Sequence, residues 1–345
     1  MQYIQSNIYI KDIEQTIKDT VNIHKLMNKS IFLTGASGLI GSFLTDTIMY
    51  ANKYKNFGTH IYVVGRNRKR LEERFESWLD SEFFHILEQD VREKIVCDIT
   101  VDYIIHAASN SYPAAFQKDP VGTIEGNVIG TKNLLDFGRR QSIEKFLYLS
   151  SGEVYGQLTG IDAFREDMQG YVNPSLARSC YPMGKRMAEN LCIAYKEQYD
   201  SPALIARPCH VYGANVTEQD NRATAQFLAK AAAGENIVLK SKGEQIRSYM
   251  YVADCVSGIL TILLEGNVGE TYNIANSDAK ISIAGFAQET AKIAGTEVVF
   301  ADNDSVENPM RYAVLDASRL EELGWHGSYT IDKGIKSALE ILKNI

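Results

Sequence analysis

Residues 30–41 read SIFLTGASGLIG, and this stretch decides the fold. Its first five residues are β-branched and aromatic, as in a buried strand, and glycines follow at positions 35, 38 and 41. In a loop that joins a strand to a helix, the first glycine permits a tight turn and the second lets the backbone approach a pyrophosphate. The third allows close packing of helix and strand, and the amides at the helix start face the phosphates. We therefore interpret the G-x-x-G-x-x-G spacing as a variant dinucleotide-binding loop.

Strand-like and helix-like segments alternate outward from this loop. The pattern predicts strands at 60–64, 103–106 and 145–150, and helices at 67–79 and 131–140. Such alternation is typical of βαβ units, so we predict an α/β fold with a doubly wound parallel (Rossmann) sheet and a smaller C-terminal substrate lobe. We predict three parts: an N-terminal helical extension (1–28), a dinucleotide-binding domain (29–205) and a substrate-binding lobe (206–345). Some segments of the lobe can return to the dinucleotide-binding domain.

Composition excludes several classes of protein. The 345 residues carry a net charge of −7, with 45% hydrophobic and 23% charged residues, which is typical of a soluble globular protein. The mildly acidic balance, without a basic stripe, predicts no nucleic-acid partner, and no apolar run is long enough to predict a membrane span. The N-terminus lacks an export signal, and the five scattered cysteines form no C-x-x-C pair. We expect reduced thiols, a cytoplasmic location and no metal site.

The end of the second strand bears on the cofactor. It reads VVGRN at 63–67, with no acidic residue at the tip to accept the ribose hydroxyls of NAD. The sequence therefore favours NADP over NAD, with Arg66 on the 2′-phosphate. In the alternative, Arg66 is solvated and NAD binds without a strong ribose contact. Asp98 and Ile99 are predicted to reach the adenine edge, unless Asp98 only caps a turn.

Tyr181 and Lys185 stand four residues apart, so both project from one helical face. An ammonium beside a phenol favours the phenolate and lowers the pKa of the tyrosine, which can then exchange a proton with a substrate hydroxyl as hydride moves. The lysine can also hold the nicotinamide ribose. A surface pair is the alternative, but the position after a dinucleotide loop favours an acid/base pair.

Ser151 and Glu153 follow the strand at 145–150, at the edge where open α/β sheets bind ligands. Ser151 can donate a hydrogen bond to the oxygen that Tyr181 serves. Glu153 can abstract a carbon-bound proton next to a carbonyl made by the hydride step. The alternative for Glu153 is a solvated loop side chain.

Motifs between residues 29 and 326 resemble the extended short-chain dehydrogenase/reductases that act on nucleotide-diphosphate sugars, the NAD(P)-dependent epimerase/dehydratase family. The block at 166–189 looks most like the UDP-glucuronate decarboxylase branch. The motifs are TGASGLIG (34–41), HAAS (106–109), NVIGTKNLL (127–135), SSGEVYG (150–156), YPMGK (181–185), RPCHVYG (207–213), RSYMYVAD (247–254) and LDASRLEELGW (315–325).

The resemblance implies a redox cycle on a nucleotide-diphosphate sugar. Tyr181 and NAD(P)+ would oxidise C4, chemistry at C5 would follow as decarboxylation, 4,6-dehydration or epimerisation, and the hydride would usually return. Ser151 would polarise the C4 oxygen, Lys185 would tune Tyr181, and Glu153 would act near C5. A net NADPH-dependent reductase and a non-catalytic dinucleotide-sensing protein remain as alternatives. The family also implies a homodimer through helices at 127–140 and 181–199.

The resemblance extends the candidate site. Arg247 and Arg311 match arginines that bind the diphosphate, with surface salt bridges as the alternative. His210 replaces a substrate-contacting asparagine, and Gly65 and Gly152 replace acidic residues of other members. The predicted substrate site comprises Ser151, Glu153, His210, Arg247 and Arg311. The predicted cofactor site comprises Gly35, Ser37, Gly38, Leu39, Ile40, Gly41, Arg66, Asp98, Ile99, Ala107, Tyr181 and Lys185.

Overall fold

A computed structural model describes residues 3–217, 219–301 and 312–344. The strands are β1 (Ser30–Thr34), β2 (His60–Gly65), β3 (Phe84–Glu88), β4 (Tyr103–His106), β5 (Lys145–Leu149), β6 (Ala203–Pro208), β7 (His210–Tyr212), β8 (Ile237–Leu239), β9 (Ile246–Tyr251), β10 (Thr271–Ile274), β11 (Lys280–Ser282), β12 (Val298–Phe300) and β13 (Tyr312–Ala313). The helices are α1 (Asn7–Asp19), α2 (Leu39–Lys55), α3 (Arg68–Arg74), α4 (Pro113–Lys118), α5 (Pro120–Gln141), α6 (Cys180–Tyr199), α7 (Ala223–Ala232), α8 (Val252–Glu265), α9 (Ile283–Ala294), α10 (Ser318–Glu321) and α11 (Ile331–Lys343).

The central sheet has seven strands in the order β10-β6-β5-β4-β1-β2-β3, and all of its neighbours pair in parallel. The order reverses between β1 and β4, which is where a doubly wound sheet opens a crevice for a ligand. The predicted fold class is confirmed.

Both faces of the sheet are buried, which explains the apolar character of its strands. Ile31 and Leu33 of β1 face a core that includes Phe43 of α2 and Ile259 of α8. Phe32 faces the opposite core, which includes residues of α5 and α6. Alternate residues of one strand therefore fix helices on both sides of the dinucleotide loop.

The part of the chain after residue 205 does not form a separate layer. Helix α8 packs on the central sheet, and β10 extends it beyond β6, so these segments return to the dinucleotide-binding domain. Strands β7, β9, β11 and β13 form a smaller sheet in which β9 is central, and β8 and β12 pair in a two-stranded sheet. This smaller sheet lies across the cleft from the glycine loop, because residues of both line the same cavity.

The N-terminal segment packs onto the rest of the fold through α1. Ser6 caps the helix by accepting a hydrogen bond from the Tyr9 amide, and Ile13 is fully buried. The buried carboxylate of Asp12 accepts hydrogen bonds from the Tyr251 and Tyr329 hydroxyls, at 2.7 and 2.6 Å. Among the described residues, no helix combines the length and apolar character needed to cross a membrane.

Candidate active site

One cleft of about 670 Å³ runs along the carboxyl edge of the central sheet, a volume within the usual range for small-molecule sites. The glycine loop and the end of β2 form one end of it, and residues from β7, β9 and the chain before α7 form the other. Tyr181, Lys185, Ser151 and Glu153 all line its middle. The structure thus brings the four predicted catalytic side chains to one place.

The glycine loop lies directly against the end of β4. Gly35 has a φ of +72°, and a Cβ atom there would lie 2.6 Å from the carbonyl carbon of Ala107. No side chain fits at that position. Gly38 caps α2 without a side-chain hydrogen bond, so the first amides of α2 are available to a ligand. Ser37, Leu39, Ile40 and Gly41 line the same cleft, as does Ala107.

Two buried hydroxyls test whether this cradle suits a dinucleotide. The Oγ atoms of Ser109 and Ser150 are buried without a hydrogen-bond partner in the described part of the chain, and both residues line the cleft. Buried hydroxyls are nearly always hydrogen-bonded, so these two point to a polar ligand. A side-chain-free glycine turn, open helix amides and unsatisfied hydroxyls together fit a nicotinamide dinucleotide.

The end of the cleft beside β2, where the adenosine of the cofactor is predicted to bind, is lined by several charged side chains. Arg66 and Arg70 line it with Asp90 and Arg92, and Gly65 adds no acidic side chain. Arg92 donates to both carboxylate oxygens of Asp90, at 3.1 and 2.7 Å. Hydrogen bonds from Arg92 and the nearby charge of Arg66 lower the pKa of Asp90. This wall therefore presents three guanidinium groups, and that of Arg92 is already paired with the Asp90 carboxylate.

The structure does not bring Asp98 and Ile99 to the cleft. Asp98 is exposed, and Ile99 packs against the core on the α5 and α6 side. The sequence analysis missed β3, which ends at the cleft edge, and the chain must then cross to the opposite edge before β4 begins. Residues just after β3 therefore meet the cleft, and residues just before β4 do not. Asp90 and Val91 occupy the wall predicted for Asp98 and Ile99.

Tyr181 lies in the first turn of α6, where its ring stacks on Phe116 with centroids 5.3 Å apart. Burial, and then the charge of Glu153, raise the pKa of Tyr181 to about 12, while a hydrogen bond with Ser151 and the charge of Arg222 lower it. The predicted lowering of this pKa by Lys185 is not found.

The environment of Lys185 explains the difference. Its amine donates to the Leu149 carbonyl oxygen at 2.7 Å and lies 5.9 Å from the centroid of the Tyr181 ring. Burial lowers the pKa of Lys185 to about 7, against a raising effect of Glu189. Near neutral pH the amine is therefore only partly charged, so its field at the phenol is weak. The same position still presents Lys185 to the cleft.

Ser151 and Glu153 lie at the end of β5, beside Tyr181. The Ser151 hydroxyl accepts a hydrogen bond from the Glu153 amide at 3.2 Å and caps the short 3₁₀ helix Gly152–Tyr155. The Glu153 carboxylate forms an ion pair with Arg178 at 3.2 Å. The guanidinium of Arg178 also lies over the Phe116 ring, 5.7 Å from its centroid. Sequence reasoning missed Arg178, whose partner Glu153 is distant in sequence.

The far end of the cleft holds His210 and Arg247 on neighbouring strands, with Arg222 nearby. His210 is exposed to the cleft, and partial desolvation together with the charges of Arg247 and Arg222 lowers its pKa below the ordinary value for histidine. His210 is therefore a neutral imidazole at neutral pH, able to donate and to accept. Arg222, which the sequence analysis also missed, donates to both oxygens of Asp220. Arg311 lies outside the described residues.

Fold and site define a class: an α/β enzyme that binds a nicotinamide dinucleotide and places a tyrosine, a serine and a glutamate beside it. Residues 31–275 match the model of the NAD dependent epimerase/dehydratase family, so the chain belongs to that family.

Curated relatives and solved structures narrow the comparison. UDP-glucuronic acid decarboxylase 3 of Arabidopsis thaliana is 32% identical over 309 residues, which are 89% of this chain and 87% of the relative. UDP-glucuronic acid decarboxylase 1 of Xenopus tropicalis is 31% identical over 317 residues, 91% of this chain and 72% of the relative. The structure of UDP-glucuronic acid 4-epimerase from Bacillus cereus, in complex with UDP-glucuronic acid and NAD, matches with a TM-score of 0.76. It is 23% identical and covers 91% of this chain and 99% of its own, which shows the shared fold.

Proposed function

We propose that this enzyme decarboxylates a nucleotide-diphosphate uronate after oxidising it at C4. The observation that carries the proposal is the convergence of Tyr181, Ser151, Glu153 and Arg178 in one cleft. Arg178 already holds a carboxylate, that of Glu153, at 3.2 Å, so its guanidinium is suited to hold the carboxylate of a uronate. Decarboxylases among the curated relatives, at 31–32% identity, support the same activity.

The side chains supply the proton chemistry of this reaction. Bound NAD(P)+ supplies a hydride acceptor for C4 and later the same hydride. Tyr181 takes the proton of the C4 hydroxyl during oxidation, and Ser151 donates a hydrogen bond to that oxygen. The C4 ketone is β to the C6 carboxylate, so the C5–C6 bond breaks, CO₂ leaves, and the bonding electrons move through C5 to the C4 oxygen. Glu153 is placed to hold the proton that C5 takes up, and Tyr181 returns its proton when C4 is reduced.

A panel of sugar nucleotides tests this proposal. We expect a loss of about 44 mass units, one CO₂, from a nucleotide-diphosphate uronate. No net change in nicotinamide absorbance is expected. A loss of about 18 mass units from a hexose nucleotide would reassign the enzyme as a dehydratase, and an unchanged mass with altered stereochemistry as an epimerase. Stoichiometric consumption of NADPH would favour the net reductase, and no turnover of any substrate would contradict the proposal.

We propose that the cofactor is NADP rather than NAD. Gly65 leaves the end of β2 without a carboxylate, and Arg66 and Arg70 line the adjoining wall. A 2′-phosphate there would meet the guanidinium groups of this wall, and Asp90, the acid that lines it, is already paired with Arg92.

Replacing Arg66 by alanine is expected to raise KM for NADP by about 10- to 100-fold and to leave KM for NAD nearly unchanged. The reason is that only NADP loses a charge-assisted hydrogen bond to its 2′-phosphate. Steady-state kinetics with each cofactor measure the ratio. Arg68→Ala is the control. Arg68 lies two residues after Arg66 at the start of α3, pairs with Glu72 and does not line the cleft. Equal changes for both cofactors would contradict the proposal.

We propose that two copies of the chain form a dimer through α5 and α6. Val121, Ile124, Met183 and Met187 are exposed apolar residues on these two helices. The helices pack closely, since a Cβ at Gly184 would lie 3.7 Å from Ile124, so the four side chains form one patch. A patch of this kind on packed helices suits an isologous contact with a second copy.

Introducing a charge into this patch is expected to separate the two copies. Light scattering should give twice the mass of the chain for the native protein and the mass of one chain for Met187→Glu. A charge buried in an apolar contact would be unpaired and costly. Lys196→Glu, on a later turn of α6, is the control. A native protein with the mass of a single chain would contradict the dimer.

We propose that the enzyme works in the cytoplasm. All five cysteines are free thiols, and three of them are buried. Thiols in this state suit a reducing compartment. Localisation of a tagged chain by cell fractionation tests the assignment.

A further inference from the structure

Helix α6 holds the loop of Glu153 as well as Tyr181. Arg186 follows Lys185 directly, and its guanidinium donates through Nε to the Val154 carbonyl at 2.6 Å. A second nitrogen of the same group donates to the Gly170 carbonyl at 2.7 Å. Val154 is the residue after Glu153. One side chain of α6 therefore fixes both ends of the loop that begins at the glutamate.

A buried ion pair makes a second connection from α6 to the same loop. Arg207 of β6 donates to both carboxylate oxygens of Glu189, at 2.9 and 2.7 Å. It also donates to the Tyr155 hydroxyl and to the Glu166 carbonyl, each at 3.0 Å. Both charged side chains are only 10% exposed. The loop is thus held from two sides, at Val154 by Arg186 and at Tyr155 by Arg207.

These contacts place two chemical groups on one rigid frame. Tyr181 lies in the first turn of α6, and the hydrogen bonds of Arg186 and the Glu189–Arg207 pair transmit the position of this helix to the 3₁₀ helix Gly152–Tyr155. Glu153 also has contacts of its own: its amide donates to the Ser151 hydroxyl, and its carboxylate pairs with Arg178. A displacement of about 1 Å at a reacting group can cost two orders of magnitude in rate, so this frame matters to the chemistry.

We propose that Arg186 is a positioning residue that keeps Glu153 at the C5 of the sugar while Tyr181 acts at C4. The inference rests on the proposed function, because it assigns the two side chains to neighbouring carbons of one substrate. Arg186 does not line the cleft. Its effect therefore passes through the Val154 and Gly170 carbonyls and falls on the second step rather than on the first.

The test separates the two steps in time. Arg186→Met removes both donors and keeps most of the apolar stem, and Arg186→Lys keeps the charge and can retain one donor. With a nucleotide-diphosphate uronate, the rise in stopped-flow absorbance of reduced nicotinamide reports C4 oxidation, and its later decay reports the return of the hydride, which follows protonation of C5. We expect Arg186→Met to oxidise C4 and to release CO₂ at rates within about 3-fold of the native enzyme and to return the hydride about 10- to 100-fold more slowly. Reduced nicotinamide should therefore accumulate during turnover.

Two comparisons keep a structural effect apart from a positioning effect. Arg140→Met is the matched control, because Arg140 also donates to a backbone carbonyl, that of Ile95, away from the cleft. Arg186→Lys should recover part of the rate of hydride return, and it serves as the test variant if Arg186→Met does not fold. An equal loss of both rates in the Lys variant, or no change in either rate in a folded variant, would overturn the inference. A native enzyme that oxidises no sugar would overturn the proposed function, and this inference with it.

Discussion

Replacing Tyr181 by phenylalanine is expected to reduce kcat by about 10²- to 10⁴-fold, the usual worth of a positioned acid/base group. The phenol is the side chain placed to take the proton of the C4 hydroxyl. Its ring is buried against Phe116, and phenylalanine keeps that stacking, so the folded structure should persist. Rates of hydride transfer in a single turnover, measured by absorbance, give the loss directly.

The control for this change lies on the same helix. Tyr195 is also part of α6, and its hydroxyl donates to Asp136 at 2.9 Å, away from the cleft. Tyr195→Phe should keep kcat within about 3-fold, because it loses a hydrogen bond worth only about 1 kcal/mol of stability. Both variants should bind the cofactor with nearly native dissociation constants. If Tyr181→Phe retained full hydride transfer, another group would take the proton of the C4 hydroxyl, and the role assigned to this phenol would be wrong.

The raised pKa of Tyr181 means that other groups in the complex must favour its phenolate form. A phenol with a pKa of about 12 is protonated at neutral pH, so the oxidation step requires the complex to favour the phenolate. The positive nicotinamide ring and the ammonium form of Lys185 both act in that direction. The sequence analysis assigned the lowering of the Tyr181 pKa to Lys185 alone. The spacing of the two residues shows that they are close, but it does not show the burial that lowers the pKa of Lys185.

Local patterns were sufficient to predict much of the fold and of the site. The strand at 30–34, the glycine turn and the helix that follows depend on neighbouring residues, and the structure has them where the sequence placed them. The same holds for the spacing of Tyr181 and Lys185 on one helix. These features need only periodicity and backbone conformation.

Features that depend on the path of the chain through space were not predicted. Strand β3 lies at the sheet edge, and only Phe84 of its five residues is buried, so its sequence lacks the apolar run of an inner strand. Without β3, the chain that follows it, with Asp90 on the cleft wall, was not recognised, and the adenine contact was predicted at Asp98. Arg178 was missed because its partner, Glu153, is distant in sequence, and only the folded chain brings the two together.

Replacing Glu153 by glutamine is expected to separate the two halves of the reaction. Glutamine keeps the shape of the side chain and removes its charge and its acid/base capacity. Oxidation at C4 and loss of CO₂ should persist, since Tyr181 and Ser151 are unchanged, whereas uptake of deuterium from deuterated water at C5 and return of the hydride should fall by about 10²-fold or more. The charge of Glu153 raises the pKa of Tyr181, so its removal should shift the pH profile of C4 oxidation towards lower pH.

The ratio of the two steps distinguishes a catalytic glutamate from one that only holds Arg178. Loss of the ion pair alone would alter KM for the uronate and would leave the ratio of C4 oxidation to hydride return unchanged. Glu270→Gln is the control, because Glu270 also pairs with an arginine, Arg319, at 2.9 Å and lies outside the cleft. Unchanged C5 exchange in Glu153→Gln would remove the glutamate from the chemistry and assign the proton at C5 to solvent. Parallel loss of oxidation and exchange would contradict the assignment of Glu153 to C5 alone, because removal of the charge that raises the pKa of Tyr181 should favour oxidation at C4.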